Sequence, residues 1–241
     1  MKPRALAVAL ACLTLTIWAA PASSQALTQG LQYAITPSIW GTGMDGEVAL
    51  GAFRGQVGEG LGELEPNGAL RFEAKGPVWT LRAEIAVGGN EHDLENTAGT
   101  LDADMMTAEV VSGWQFSETA ELIFGARYYQ SESELGFALP VPGGGGQTTF
   151  ESDQSWVDPL IGIYYGGELA RYWTYHFRLD VGGFGAGADL TINSRIEFGY
   201  QFNDSVSLQL GYRALDVDHD NNRYLYDILQ QGPEIGLRFA F

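Results

Sequence analysis

Arginines and carboxylates recur at alternate positions along short segments of the sequence, separated by apolar residues. One residue separates Arg71 from Glu73, and one separates Arg82 from Glu84. Residues two apart point to the same face of a β-strand. A planar guanidinium can bind a carboxylate through two parallel hydrogen bonds, so such faces could build a network of ion pairs. The predicted network comprises Arg71, Glu73, Arg82, Glu84, Glu109, Arg127, Asp158, His176, Arg178, Asp180, Arg195, Glu197, Arg213, Glu234 and Arg238.

Histidine is the side chain best suited to acid–base catalysis near neutral pH, and the chain has three, His92, His176 and His219. His176 lies on the same predicted strand face as Asp180, so an Asp–His pair fits the spacing. The same spacing occurs in any ladder of charged residues on a strand, and the sequence places no serine beside His176. The residues therefore predict no catalytic site.

A run of aspartates at 216–222, with Asp227 eleven residues after Asp216, partly imitates a calcium-binding loop. It lacks the glycine at the sixth position and the glutamate at the twelfth, and it falls between strands instead of helices. We therefore predict neither a metal site nor a cofactor site.

The elements that would position these charges are β-strands. Seven segments alternate apolar and polar residues with a period of two, which is the signature of a strand with two different faces. A membrane-spanning strand needs only about 9–11 residues, whereas a spanning helix needs about 20 apolar ones. The alternating segments are 69–75, 79–87, 120–129, 174–181, 192–202, 205–213 and 234–241.

The N-terminus has the composition of an export signal. Lys2 and Arg4 precede an apolar run over 5–20, which ends in small residues. This pattern predicts a signal peptide at 1–26 that is cleaved near 22–26, leaving 27–241 as one β-barrel domain.

The composition excludes several classes of protein. The chain has 30 acidic and 13 basic residues and a net charge of −17, so binding of nucleic acid through a basic surface is not expected. The single Cys12 cannot form an intramolecular disulfide. A content of 45% hydrophobic residues is too high for a disordered chain.

The contents of the two strand faces predict a transmembrane antiparallel up-and-down β-barrel. Arginine on the lipid face would cost about 2–4 kcal/mol at the bilayer midplane, so the charged face must point into the lumen. Pairing strands between short turns gives about ten strands, although eight or twelve also fit. Long polar loops are expected at 44–66, 89–103, 132–154 and 217–223. Within the first of these, 47–53 could be a strand and 60–65 a helical turn.

Five segments resemble a largely uncharacterised family of Gram-negative outer-membrane β-barrel proteins, similar to small OmpA-type and porin-like barrels. These segments are 40–46, 158–162, 180–185, 211–217 and 232–241. The resemblance implies the barrel fold and an outer-membrane location, but it supplies no catalytic residues. The chain end also resembles the signal that the barrel assembly machinery reads, carried by Ile235, Leu237, Phe239 and Phe241.

We therefore expect a monomeric outer-membrane barrel with a charged, largely plugged lumen, acidic surface loops and a structural role without a catalytic step. Its expected partners are outer-membrane lipids, lipopolysaccharide and the barrel assembly machinery. One alternative is a narrow passive pore for small solutes. A second is an outer-membrane lipid-modifying hydrolase that uses His176.

Overall fold

A computed structural model describes residues 30–50, 53–58, 61–62, 64–93, 99–139, 146–221 and 224–241. The predicted signal peptide at 1–26 lies outside these residues. The part of the chain from Gln32 onward forms one compact unit. The described ranges contain no helix that is long and apolar enough to span a membrane. The strands are β1 (Gln32–Leu50), β2 (Phe53–Gly58), β3 (Glu65–Lys75), β4 (Trp79–Asp93), β5 (Gly99–Gln115), β6 (Ala120–Leu139), β7 (Gly146–Ala170), β8 (Trp173–Gly183), β9 (Leu190–Asn203), β10 (Val206–Asp220) and β11 (Tyr224–Ala240).

Ten of these strands form a closed antiparallel barrel. Each strand from β3 to β10 pairs with the next along the chain, β1 pairs with β3, and β11 pairs back onto β1. The closing register sets Ala34 opposite Ala240 and Ile39 opposite Ile235. The eleventh strand, β2, pairs only with the upper part of β1. The predicted all-β barrel of about ten strands is confirmed.

The two ends of the barrel differ. Tight connections of two to four residues join β3 to β4, β5 to β6, β7 to β8 and β9 to β10, and we call this the short-turn end. The opposite, long-hairpin end carries strands that continue well past the lipid-facing region. Most of the predicted loops at 44–66, 89–103, 132–154 and 217–223 are strand in the described residues. The predicted strand at 47–53 is divided between β1 and β2, and the described part of 60–65 contains no helix.

These loop predictions are wrong because the pattern of the two faces inverts beyond the lipid region. In β5, Asp102 and Asp104 point outward while Ala103 and Met105 are buried inside. An outward carboxylate and an inward apolar side chain are what a barrel needs where it stands in water. The predicted loop acids therefore lie on the outer faces of strands, as do Glu132, Glu134, Glu151, Asp153, Asp216 and Asp218.

The outer surface of the barrel nearer the short turns is apolar. Leu81 on β4, Phe124 on β6 and Ile161 on β7 are each exposed, as a lipid-facing surface requires. Aromatic residues cluster near the short turns, where Trp173 contacts Tyr200 edge-on with ring centroids 5.1 Å apart. Trp40 and Trp156 do not belong to this cluster, because both are buried inside the barrel.

The rim at the long-hairpin end is uneven. The β8–β9 hairpin is short and ends at Gly183, so the pairing of β7 with β8 stops at Leu160. The pairing of β7 with β6 continues much further, to Gly146. In the described residues, the other edge of β7 has no strand partner from Gly146 to Pro159. The gap is bridged by side chains, including a hydrogen bond of 3.1 Å that Asn221 donates to Gln154.

Candidate functional site

The lumen contains a network of ion pairs, which falls into three groups along the barrel axis. Strand register explains much of it, because Glu73 lies directly opposite Arg82 and Arg71 opposite Glu84 on the inner face of β3 and β4. Directly opposite side chains in an antiparallel pair have Cβ atoms about 5 Å apart, which is within reach of an Arg–Glu contact.

The upper group joins β5, β6 and β8. Arg127 donates from Nε to Glu109 at 2.9 Å and from Nη2 to Asp180 at 2.8 Å. Arg178 donates to both carboxylates as well, and its Nε lies 2.7 Å from Asp180. Asn193 on β9 adds a further donor to Asp180 at 2.7 Å. The side chain of Arg127 is 1% exposed, so its charge is balanced by these contacts and not by water.

The middle group spans the barrel diameter. Glu84 on β4 accepts two hydrogen bonds of 2.8 Å from Arg195 on β9. It also accepts hydrogen bonds from Arg71 at 3.0 Å and from Arg213 at 2.9 Å. Arg71 holds Glu197 through both Nη atoms, at 3.0 and 3.1 Å. Bidentate contacts of this kind fix geometry as well as charge.

Glu234 on β11 completes the middle group. Its carboxylate lies 3.1 Å from Nε of Arg195 and 3.5 Å from Nη2 of Arg71. The last strand of the barrel therefore shares ion pairs with β3 and β9.

The lower group lies toward the short-turn end. Arg82 donates from Nε to Glu73 at 2.8 Å and from both Nη atoms to Glu121 at 2.6 and 3.2 Å. Arg238 donates to the same Glu73 at 2.8 Å. The guanidinium carbon of Arg82 also lies 4.0 Å from the centroid of the Tyr164 ring.

Above the network, toward the long hairpins, the lumen is filled by apolar and aromatic side chains, which we call the aromatic plug. Met44 and Tyr129 are 0% exposed and Tyr226 is 1% exposed. The hydroxyl of Tyr129 accepts a hydrogen bond of 3.2 Å from Arg127, which connects the plug to the ion pairs below it. The members of the plug are Trp40, Met44, Val48, Val57, Ala103, Met105, Tyr129, Trp156, Ala188, Leu215, Val217, Tyr224, Tyr226 and Ile228.

Two of the predicted network residues have other partners. Asp158 forms no ion pair within the described ranges, and its Oδ1 instead accepts a hydrogen bond of 2.7 Å from the backbone N–H of Ala188. The turn between β8 and β9 bends into the lumen to make that contact. His176 lies beside the Tyr164 ring, with centroids 5.7 Å apart, and is not paired with Asp180, which Arg127 and Arg178 occupy.

Two members of the network, Glu121 and Asn193, are not among the residues predicted from the sequence. Glu121 is 4% exposed and is the main partner of Arg82. Its position on the polar face of the 120–129 segment was the available signal. The sequence carries no such signal for Asn193, because its side chain is neutral. Its role follows only from its hydrogen bonds with Asp180 and Arg213 in the structure.

No group of three or more histidine, cysteine or acidic side chains in the described residues is arranged to hold a metal ion. The arrangement instead holds charges in fixed pairs across the lumen. Each of Arg71, Arg82, Arg127, Arg178 and Arg195 contacts at least two carboxylates, and in the middle group Glu84 and Glu234 each contact at least two arginines.

The sequence matches no known protein-family model and no curated protein. Solved structures with a similar fold include the outer membrane protease OmpT from Escherichia coli, at 9% identity over 87% of this chain and 97% of that chain, with a TM-score of 0.47. The translocator domain of autotransporter NalP from Neisseria meningitidis is 12% identical over 99% and 97%, with a TM-score of 0.44. The attachment invasion locus protein Ail of Yersinia pestis is 8% identical over 88% and 99%, with a TM-score of 0.38.

These similarities concern the barrel fold alone. They also correct the prediction that the chain has no catalytic step. That prediction is wrong, because a barrel of this architecture does not exclude catalysis. Because a protease is among the similar barrels, the fold is shared by enzymes and proteins of other kinds and does not separate them. The 9% identity with OmpT does not assign a protease activity to this chain.

Proposed function

We propose that the chain is an integral outer-membrane β-barrel with a closed lumen and a structural role in the membrane. The observation that carries this proposal is that two barriers block the lumen, one above the other along the barrel axis. Tyr129 and Tyr226 fill the lumen above, and bidentate pairs such as Arg195–Glu84 cross it below. The interior of a barrel this narrow is largely filled by its own side chains.

Short turns face the periplasm in bacterial outer-membrane barrels, and we propose this orientation for the chain. The short-turn end would then lie in the periplasm, and the long hairpins with their acidic outer faces would stand above the membrane. This surface would contact lipopolysaccharide and outer-membrane lipids. Because β11 closes onto β1, the lipid-embedded strands leave no free edge for a second copy, which supports a monomer.

The decisive experiment is single-channel recording of the refolded mature protein in a planar bilayer. A folded barrel with a closed lumen should give no stable conductance steps. A variant with Met44, Tyr129 and Tyr226 replaced by glycine would show whether removing the aromatic plug admits ions. Reproducible steps from the unmodified protein that change when Arg127 is neutralised would overturn the proposal in favour of a narrow solute pore.

We also propose that the chain is exported by its signal peptide and inserted by the barrel assembly machinery. In support, Ile235, Leu237 and Phe239 alternate on the outer face of β11 and are exposed, and Phe241 ends the chain with 71% exposure. A Phe241→Ala variant should accumulate less folded barrel in the outer membrane, whereas Ala240→Gly should not. Equal assembly of the two variants would argue against a role for the terminal phenylalanine.

A further inference from the structure

At the short-turn end the lumen opens into a cavity of about 450 Å³. The ion pairs of the middle group close it from above, so it is a blind pocket. Ligand pockets typically occupy roughly 300–1,000 Å³, which places this cavity in the range of a small ligand. In the orientation proposed above, its mouth faces the periplasm.

The arginines and their partner carboxylates inside this pocket already satisfy each other, while the further charges of Lys75, Glu118 and Glu168 are exposed at its rim. Each of the three guanidinium nitrogens of Arg82 donates a hydrogen bond to Glu73 or Glu121. Arg71 is similarly engaged, and Arg238 is bound to Glu73. An ionic ligand would have to break one of these pairs and leave a charge without its partner, which is strongly unfavourable in a buried site. The interior of the pocket, inside its exposed rim, therefore does not favour anions or cations.

Apart from His176 and the exposed rim charges, the remaining wall is neutral and polar. Four glutamines line it, Gln32, Gln115, Gln201 and Gln209, together with serine and threonine hydroxyls. Apart from alanine and glycine, the lining contains no aliphatic residue. An apolar ligand would find no surface to bury here, whereas a ligand with many hydroxyls could form hydrogen bonds on every side.

Gln209 points to the chemistry of the ligand. Gln209 is 5% exposed, and its side-chain Nε2 donates a hydrogen bond to Ser207 at 2.9 Å. Its buried side-chain oxygen, Oε1, has no hydrogen-bond partner. A buried acceptor without a donor costs about 1–3 kcal/mol, which a ligand hydroxyl could recover. Gly199 keeps this corner open, since a Cβ there would lie 2.3 Å from Oγ1 of Thr174 and 2.9 Å from the Gln209 amide.

We propose that this pocket binds a neutral saccharide of one or two units, with Gln209 and Thr174 as hydrogen-bonding residues. The ring pair of Tyr164 and His176 lines the same cavity and offers the flat surfaces on which sugar rings pack. A closed lumen above the pocket means that the sugar is held and not transported.

The test is calorimetric titration of the folded mature barrel in lipid nanodiscs, where both ends are accessible, with sucrose and with maltose. We expect saturable one-to-one binding of at least one of these sugars. Gln209→Ala and Thr174→Val should each weaken it by about three- to tenfold, the range for losing one hydrogen bond. Leu208→Ala, on the lipid-facing side beside Gln209, is the matched control and should bind as the unmodified protein does.

Glucuronate serves as the charged comparison and should bind more weakly than the neutral sugars. Three results would overturn the proposal: no saturable heat from folded protein, full affinity in both the Gln209→Ala and Thr174→Val variants, or tighter binding of glucuronate. These outcomes are independent of the bilayer recordings, because a conducting barrel could still bind a sugar and a closed barrel could fail to do so.

Discussion

The rings of Trp156 and His219 lie in parallel planes 4° apart, with centroids separated by 4.2 Å. Trp156 belongs to β7 and His219 to β10, so the stack joins two strands that β8 and β9 separate lower in the barrel. Nδ1 of His219 also lies 3.0 Å from the carbonyl oxygen of Gly187, in the turn between β8 and β9. This pair therefore closes the wall of the barrel at the low point of its rim.

Removing that stack should loosen the upper barrel. We expect His219→Ala to lower the free energy of unfolding by about 2 kcal/mol, because it removes an aromatic contact and a hydrogen bond. His219→Phe keeps the ring and should recover about half of the loss. Urea unfolding of the refolded protein in detergent micelles measures both changes. Identical unfolding curves for His219→Ala and the unmodified protein would contradict the bridging role of His219.

The upper ion-pair group should be far more sensitive to mutation than the lipid-facing surface beside it. Arg127→Ala leaves Glu109 and Asp180 with one arginine between them in a buried site, and we expect a loss of about 3–5 kcal/mol in unfolding free energy. Tyr128→Phe, on the outward face of the same strand, should change it by less than about 0.5 kcal/mol. A small effect of Arg127→Ala would mean that water replaces the guanidinium.

Backbone conformation should limit substitution at Gly46. This residue has a φ of 142°, and a Cβ built on it would lie 2.0 Å from the carbonyl oxygen of Asp227 on β11. We expect Gly46→Ala to destabilise the barrel by about 2 kcal/mol or more, from the strained backbone and from displacement of β11. Gly68→Ala is the control, because a Cβ there meets no atom within 4 Å. Equal unfolding free energies for the two variants would refute this expectation.

The outward aspartates above the lipid region should make the β10–β11 hairpin sensitive to pH. Partial burial, followed by the charges of Asp227, Asp189 and Asp220, raises the pKa of Asp218 above its ordinary value of 3.8. A carboxyl group with a higher pKa in the folded than in the unfolded state holds its proton more tightly when folded. Ionising this group at higher pH therefore destabilises the fold. The hairpin should therefore gain stability as the pH falls through the raised pKa toward 3.8, and Asp218→Asn should already have that stability at pH 7.

Amide hydrogen exchange of the β10–β11 hairpin, measured from pH 7 downward and corrected for the intrinsic exchange rate, tests this expectation. Protection in the unmodified protein should approach that of Asp218→Asn as the pH falls. A constant difference between the two proteins across this range would show that Asp218 does not titrate there.

The part of the fold that lies in lipid could be predicted from the sequence, because there the solvent outside the barrel forces a simple rule on each strand. Leu81 and Arg82 are neighbours on opposite faces of β4. Because the outside is lipid, the apolar leucine faces outward and the charged arginine faces the lumen. The rule holds only where the outside is apolar. Where the strands continue into water, Asp227 faces outward and Tyr226 inward, so the same alternation carries the opposite meaning.

The pairing within the lumen could be predicted only in part. The Arg71–Glu84 contact follows from the register of two adjacent strands. The contact of Arg71 with Glu197 joins residues 126 positions apart and depends on the curvature that brings β3 opposite β9. Sequence periodicity carries no information on that curvature. The same limitation explains why the 450 Å³ cavity and the orphaned oxygen of Gln209 emerge only from the structure.

The long-range ion pairs also constrain the order of events when the chain assembles. Arg195 meets Glu84 across 111 positions of sequence, and Arg71 meets Glu234 across 163. A chain that had inserted only its first strands would hold Arg71 and Glu84 in lipid without most of their partners, at a prohibitive cost. Productive insertion must therefore keep these side chains hydrated until the last strand arrives, so that closing the barrel and neutralising its interior are a single cooperative step.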